Sequence, residues 1–269
     1  MLAVIFMTLG LNSGSYVILP LSYLELMPQF KCEYETSKQV AWETVWQVCH
    51  PTDFCHASTR MDGSRVKRVK YDYSGATSFH NYVERLDLAC ASPETIGMLG
   101  SAFFIGWTLF AIAIPRLADI QGRKKIFVGS LIMQAPTIYA LILSSSVKFT
   151  AALLFVMGVL SAGRMSVGFL YIQEMVPAPS RAITGTLAIT FDCMTMIWAT
   201  VYFMYISHYT IYWEYYAVFQ NVVAVCLIMM YVPESPKWLY EKGRFSEAKS
   251  SLMYLARKNG VEIRALVEN

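Results

Sequence analysis

The sequence predicts an all-α integral membrane protein: six membrane-crossing helices, with a large polar loop outside the membrane after the first. Three observations carry this. Only 15% of the 269 residues are charged, while 55% are hydrophobic; average soluble domains carry about 25% charged residues. The shortage is uneven, since residues 95–115, 126–147 and 215–233 hold no Asp, Glu, Lys or Arg. Runs of that length match the ~20 apolar residues that carry a helix across ~30 Å of hydrocarbon. A soluble enzyme, a nucleic-acid-binding protein and a disordered tail are thereby set aside. The formal charge of +3 is too small and too scattered to indicate a polyanionic partner.

The first apolar run covers residues 1–24 and is broken by Gly10, Asn12, Gly14 and Pro20. It reads as a span rather than a signal peptide, because no basic head precedes it and no small-x-small cleavage site follows cleanly. A chain that opens directly in a membrane helix is either incomplete at its N-terminus or very economical. Residues 25–94 are a different medium, with 17 charged residues between Lys31 and Glu94 and the cysteines Cys32, Cys49, Cys55 and Cys90. An even set of cysteines in a polar segment between spans indicates a disulfide-tied domain outside the cytoplasm. Three pairings are compatible with the sequence. His50 and His56 lie beside Cys49 and Cys55, but an oxidising loop argues against zinc there, so no metal is assigned.

Further spans are expected at about 95–115, 126–146, 149–172, 182–206 and 213–232. The short joint Ser144–Lys148 makes the third and fourth helices antiparallel neighbours. Gly158, Gly163 and Gly168 recur in the fourth, and small residues let helices approach closely in lipid. The joint at 116–125 holds Arg116, Arg123, Lys124 and Lys125 against one acid, Asp119, whereas the loop from Lys31 to Glu94 holds eight basic and nine acidic residues. Basic residues concentrate in cytoplasmic joints, so both termini are expected inside and the cysteine-rich loop outside. Residues 233–269 then form a cytoplasmic segment. In it, Phe245, Ala248, Leu252 and Leu255 share one face of an amphipathic helix that stops near Gly260.

Two charges stand within spans, Arg164 and Asp192. An ionisable group there costs several kcal/mol unless paired or hydrated. Arg164 lies ten residues before Glu174 and Asp192 eleven after Arg181. At 1.5 Å per residue both sit about 15 Å from the same joint, a depth at which the two can pair. Glu174 and Arg181 bracket Val176-Pro177-Ala178-Pro179-Ser180 and are placed to bond across that joint. In the 116–125 joint, Asp119 is suited to accept from helix-terminal N–H groups, and Gly122 allows a tight reversal. No nucleophile–base set and no ligand spacing among the four histidines appears, so neither an enzyme nor a cofactor is predicted.

These joints resemble the signature of the major facilitator superfamily. Leu117-Ala118-Asp119-Ile120-Gln121-Gly122-Arg123-Lys124-Lys125 is similar to its motif between helices two and three. Gly163-Arg164 with Gly168, then Glu174 through Arg181, are similar to its fourth-helix motif and the joint that follows. Pro233-Glu234-Ser235-Pro236-Lys237-Trp238-Leu239 resembles the segment after its sixth helix, with Lys237 where Arg is usual. The large cysteine-containing loop, ending in Glu84-Arg85-Leu86-Asp87-Leu88-Ala89-Cys90, resembles the organic cation/anion transporter family rather than sugar porters. The resemblance implies the six-helix N-terminal half of a twelve-helix plasma-membrane transporter of small organic solutes. Its partner is either a missing C-terminal half or a second copy. It also implies alternating access, with Asp119, Gly122, Arg123, Glu174, Arg181 and Glu234 at a cytoplasmic gate. Tyr139, Trp198, Tyr202 and Tyr205 are aromatic candidates for the substrate cavity, since rings attract organic cations. The alternatives are a sugar-type facilitative or proton-coupled transporter, and a non-transporting half-length membrane protein that binds a partner.

Overall fold

The computed structural model describes residues 2–35, 46–55, 65–75 and 78–260; His56 and the tail beyond Gly260 lie outside them. The first apolar stretch is helical in three pieces, α1 (Leu2–Asn12), α2 (Ser15–Ile18) and α3 (Leu21–Leu24). The interruptions fall at Ser13-Gly14 and Leu19-Pro20. The polar segment that follows carries β1 (Gln29–Glu35), β2 (Trp46–Cys49), α4 (Pro51–Phe54), β3 (Arg65–Asp72) and α5 (Tyr82–Arg85). Next come α6 (Pro93–Phe110), α7 (Ala113–Gln121), α8 (Arg123–Leu143) and α9 (Val147–Ser161). The last continues through a π turn, Ala162–Val167, into α10 (Gly168–Glu174). A 3₁₀ turn, Ala178–Ser180, leads to α11 (Arg181–Val201) and a second π turn, Tyr202–Ile206. The chain ends in α12 (Thr210–Tyr231), α13 (Pro236–Glu241) and α14 (Phe245–Lys258).

Five of these helical stretches are long and apolar enough to cross a membrane, or six if α6 and α7, bent by 47°, count as one. That bend corrects the sequence reading. The second span turns at Ala111-Ile112 and stays helical to Gln121, so Asp119 sits inside a helix and not in a loop. The reversal is left to Gly122 alone, at φ +116° and ψ +147°, an extended positive-φ conformation essentially confined to glycine.

The fourth span packs on the second through glycine. A Cβ on Gly158 would run into the Phe103 carbonyl, and one on Gly106 into that of Phe155. The two backbones touch directly, as small residues permit in a bilayer. Two apolar clusters fill the bundle. One holds Phe103, Ile138, Leu154, Met157, Phe203 and Trp213, and the other Met7, Phe127, Leu131, Tyr171 and Ile228.

The polar segment departs from the all-α expectation. It folds as a three-stranded antiparallel sheet in the order β2-β1-β3, with Phe30 opposite Cys49 and Tyr71. Cys32–Cys49 joins β1 to β2, and Cys55–Cys90 joins the end of α4 to the approach to α6. The Cys32–Cys49 disulfide and Ala89, with Phe30, Phe54 and Tyr71, make its small core. At the other end, α14 buries Ala248, Ser251 and Ala256 and leaves Phe245 and Leu252 exposed. Its packed face is thus rotated from the expected one, because small residues fit against α13 where the larger ones do not. Gly260, at φ +70°, follows its end.

Candidate functional site

Three polar assemblies stand out, one at each end of the bundle and one within it. At the end away from the sheet, Arg123 is buried and its guanidinium holds two carboxylates. It donates to Asp119 one helical turn earlier, and through Nε and Nη2 to Glu174 at 3.4 Å each. Glu174 accepts a further bond from Ser235 Oγ at 2.7 Å. Glu234 Oε1 accepts from the backbone N–H of Lys124 at 2.9 Å and of Ser235 at 3.0 Å. The indole of Trp238 donates to the Asp119 carbonyl at 2.9 Å, and Tyr171 donates to that of Pro233. Gly122 is required here a second time, since a Cβ would lie 2.6 Å from Glu234 Oε2. Four of the six expected gate residues, Asp119, Arg123, Glu174 and Glu234, therefore share one network of charge-assisted bonds through Ser235, and Gly122 packs against it.

Arg181 does not join it. It is exposed, its backbone N–H donates to the Ala178 carbonyl, and its side chain makes no hydrogen bond or ion pair among the described residues. Glu174 is held instead by Arg123 and Ser235. Asp119 likewise accepts from Arg123 rather than from a helix terminus. Lys237, half-exposed, pairs only with Glu241, at 3.9 Å.

The second assembly lies where α1 breaks. The carbonyl of Leu11 and the side chains of Asn12, Ser13 and Ser15 face inward among four other helical segments. Arg164, carried on the π turn and 2% exposed, donates Nη1 to the Leu11 carbonyl and to Ser15 Oγ at 3.3 Å. Ser15 Oγ in turn donates to Asp192 Oδ1 at 2.6 Å. Arg164 and Asp192 form no direct ion pair within 4.0 Å; a serine from the first span stands between them. Asn12 Nδ2 donates to Thr195 Oγ1 at 2.6 Å and, weakly, to Asp192 at 3.5 Å. Gln134 and Asn221 both donate to Ser13 Oγ, at 3.3 and 3.0 Å. Irregular backbone at this depth occurs in membrane proteins only where protein or a cavity satisfies it. The sequence reading missed Asn12, Ser15, Gln134, Thr195 and Asn221; the signal was an Asn-Ser-Gly-Ser run inside an apolar span.

The third assembly, also missed, ties the sheet end to the bundle. Arg85 grips Glu214 with two bonds of 3.1 and 3.2 Å, touches the Ile142 carbonyl at 3.4 Å, and lies 4.5 Å from the Tyr82 ring centre. Glu214 is 1% exposed. Asn81 donates to the Tyr23 and Leu26 carbonyls at 3.0 and 2.6 Å. His80 pairs its backbone with His208 and Thr210, and its ring stacks between Tyr73 and Tyr209.

The four aromatic cavity candidates do not converge. Tyr139 and Trp198 are exposed on α8 and α11. Tyr202 packs on Phe203 and Trp213. Tyr205, 80% exposed, lines a pocket of about 460 Å³ at the sheet end with His80 and His208.

Comparison with known proteins adds a family match and three relatives. The sequence model of the family described as "Sugar (and other) transporter" matches residues 29–268. A "Solute carrier family 22 member 15-like" protein of Xenopus laevis is 27% identical over 210 residues, covering 75% of this chain and 42% of that protein. An "Organic cation transporter-like protein" of Drosophila melanogaster is 28% identical over 261 residues, with 90% and 45% covered. An "Organic cation/carnitine transporter 6" of Arabidopsis thaliana is 27% identical over 240 residues, with 83% and 44% covered. The chain thus spans less than half the length of these relatives.

Proposed function

Because the chain belongs to the sugar (and other) transporter family, as a distant relative of the solute carrier family 22 proteins, we propose that it works as one half of a secondary transporter for small organic ions. The observation that carries this reading is the Arg123 network. It joins the helix-two, helix-four and post-helix-six segments at one end of the bundle, where a latch that opens in one state and closes in the other has to be. In this reading the latch end is cytoplasmic and the disulfide-tied sheet faces outward, in agreement with the charge of the joints and with disulfides in an oxidising compartment. A second six-helix half, or a second copy, covers the face where Ile5, Leu187 and Phe191 are exposed, and the solute passes between the two.

The test separates gate from binding. Asp119→Asn keeps the shape but removes one charge held by Arg123. Uptake into vesicles should fall about tenfold while equilibrium solute binding changes less than about twofold. Equal loss of both would show that Asp119 is not a gate residue. A sugar is the second candidate solute, favoured by the family description. Glucose uptake exceeding that of every organic ion tried would establish it.

A further inference from the structure

Asp192 has an oxygen that the protein leaves unused. Its Oδ1 accepts from Ser15 and Asn12, whereas its Oδ2 accepts no hydrogen bond among the described residues. The carboxylate lines a pocket of about 230 Å³, whose other walls are Leu11, Met165, Ser166, Phe169 and Ile189. Arg164, the nearest positive charge, is not part of that wall; its Nη1 is taken up inside the bundle by Leu11 and Ser15. From there it offsets the cost of placing a carboxylate within the membrane without covering it.

The chemistry of the wall is one-sided. It offers one anionic oxygen, one hydroxyl, one aromatic ring and three apolar side chains. A carboxylate or sulfate meets repulsion here, and a sugar finds too few polar partners for its hydroxyls. An ammonium carried on small alkyl groups matches both parts, since its charge faces Asp192 and its methyl groups face the ring of Phe169. Building on the transport reading above, we propose that Asp192 is the contact for the cationic head of an organic ammonium solute, with Phe169 packed against that head. The site draws on α1, the π turn, α10 and α11, and it explains why the π turn is there: a wider turn brings Arg164 inward to Ser15 and sets Met165 and Ser166 in the pocket.

The experiment compares choline with its neutral carbon isostere, in which a tert-butyl group replaces trimethylammonium. Equilibrium binding is measured on the full-length protein in nanodiscs. Choline is expected to bind at least about tenfold more tightly than the isostere, a gap that reports charge alone. Asp192→Asn should bring the two within about threefold, and Phe169→Leu should weaken choline about three- to tenfold while sparing the isostere. Equal binding of the two ligands by the unmodified protein overturns the proposal, as does discrimination that survives Asp192→Asn. If Asp192→Asn does not fold, the unmodified protein and Phe169→Leu still decide. Vesicle uptake separates this site from the transport reading. Charge-selective binding with no uptake of any solute would overturn transport and leave the site standing; uptake of a sugar or an organic anion with no choline binding would do the reverse.

Discussion

Glu214 shows how much a single residue can carry and how little its surroundings in sequence reveal it. It opens the last span, next to an uncharged run, and its partner Arg85 is far back in the chain. Breaking a buried pair by removing one charge costs about 3–5 kcal/mol, because the other is left uncompensated. Glu214→Gln should therefore lower the melting temperature in detergent sharply, and Arg85→Met with Glu214→Met should restore most of the loss. A double variant as unstable as the single one would mean that the pair is not the source. Glu25 supplies a pH-dependent case. It lies just beyond α3, its Oε1 is buried without a partner, and burial pushes its carboxyl from its ordinary value of 4.5 up to about 7. Between these values the unfolded chain releases the proton first, so stability is present in full below about 4.5 and declines until the pH passes about 7. The melting temperature should thus fall between pH 5 and pH 8, and Glu25→Gln should remove that part of the fall. An unchanged pH profile in the variant would show that Glu25 does not titrate in this window.

At the scale of elements, the α6–α9 crossing and the sheet rest on different physics. The crossing depends on two glycines whose backbones touch, so Gly158→Val should force the helices apart and abolish a stably folded bundle, measured as loss of a monodisperse species in detergent. Gly158 was legible in the sequence as one of three spaced glycines; its counterpart Gly106 was not, since only the fold brings it opposite. The sheet has a small core and two disulfides. Removing Cys32–Cys49 with Cys32→Ser and Cys49→Ser should cost about 2–4 kcal/mol locally. It should expose the strands β1, β2 and β3 to protease while the bundle survives. Four cysteines in a polar segment announced the disulfides, but not the strands or the pairing. Strand pairing depends on residues far apart in sequence, and no alternation strong enough to read marks them.

On the scale of the whole molecule, both ends of the bundle are tied and its middle is polar. The Arg123 network draws together three segments 51 and 61 residues apart, while His80, Asn81 and Arg85, on and before α5, bind the polar segment that carries the sheet to the spans. The sheet is therefore expected to move with this half of the transporter as one body during the gating proposed above. A distance probe between the sheet and α12 should stay constant while one across the latch end changes with solute; a change of the first comparable to the second would refute that. What the sequence determined by itself was what is local or periodic: the apolar runs, the charge of the joints, the cysteine-bearing segment and the joint motifs. Each needs only neighbours along the chain, because the bilayer imposes helix length and the joints impose charge. Tertiary structure alone decided which charges meet. Arg164 reaches Asp192 through Ser15 instead of directly, Arg181 stays outside the latch while Arg123 holds Glu174, and Glu214 finds Arg85. Those outcomes depend on helix rotation and on competition among donors for a fixed number of lone pairs, and neither quantity exists until the helices are packed.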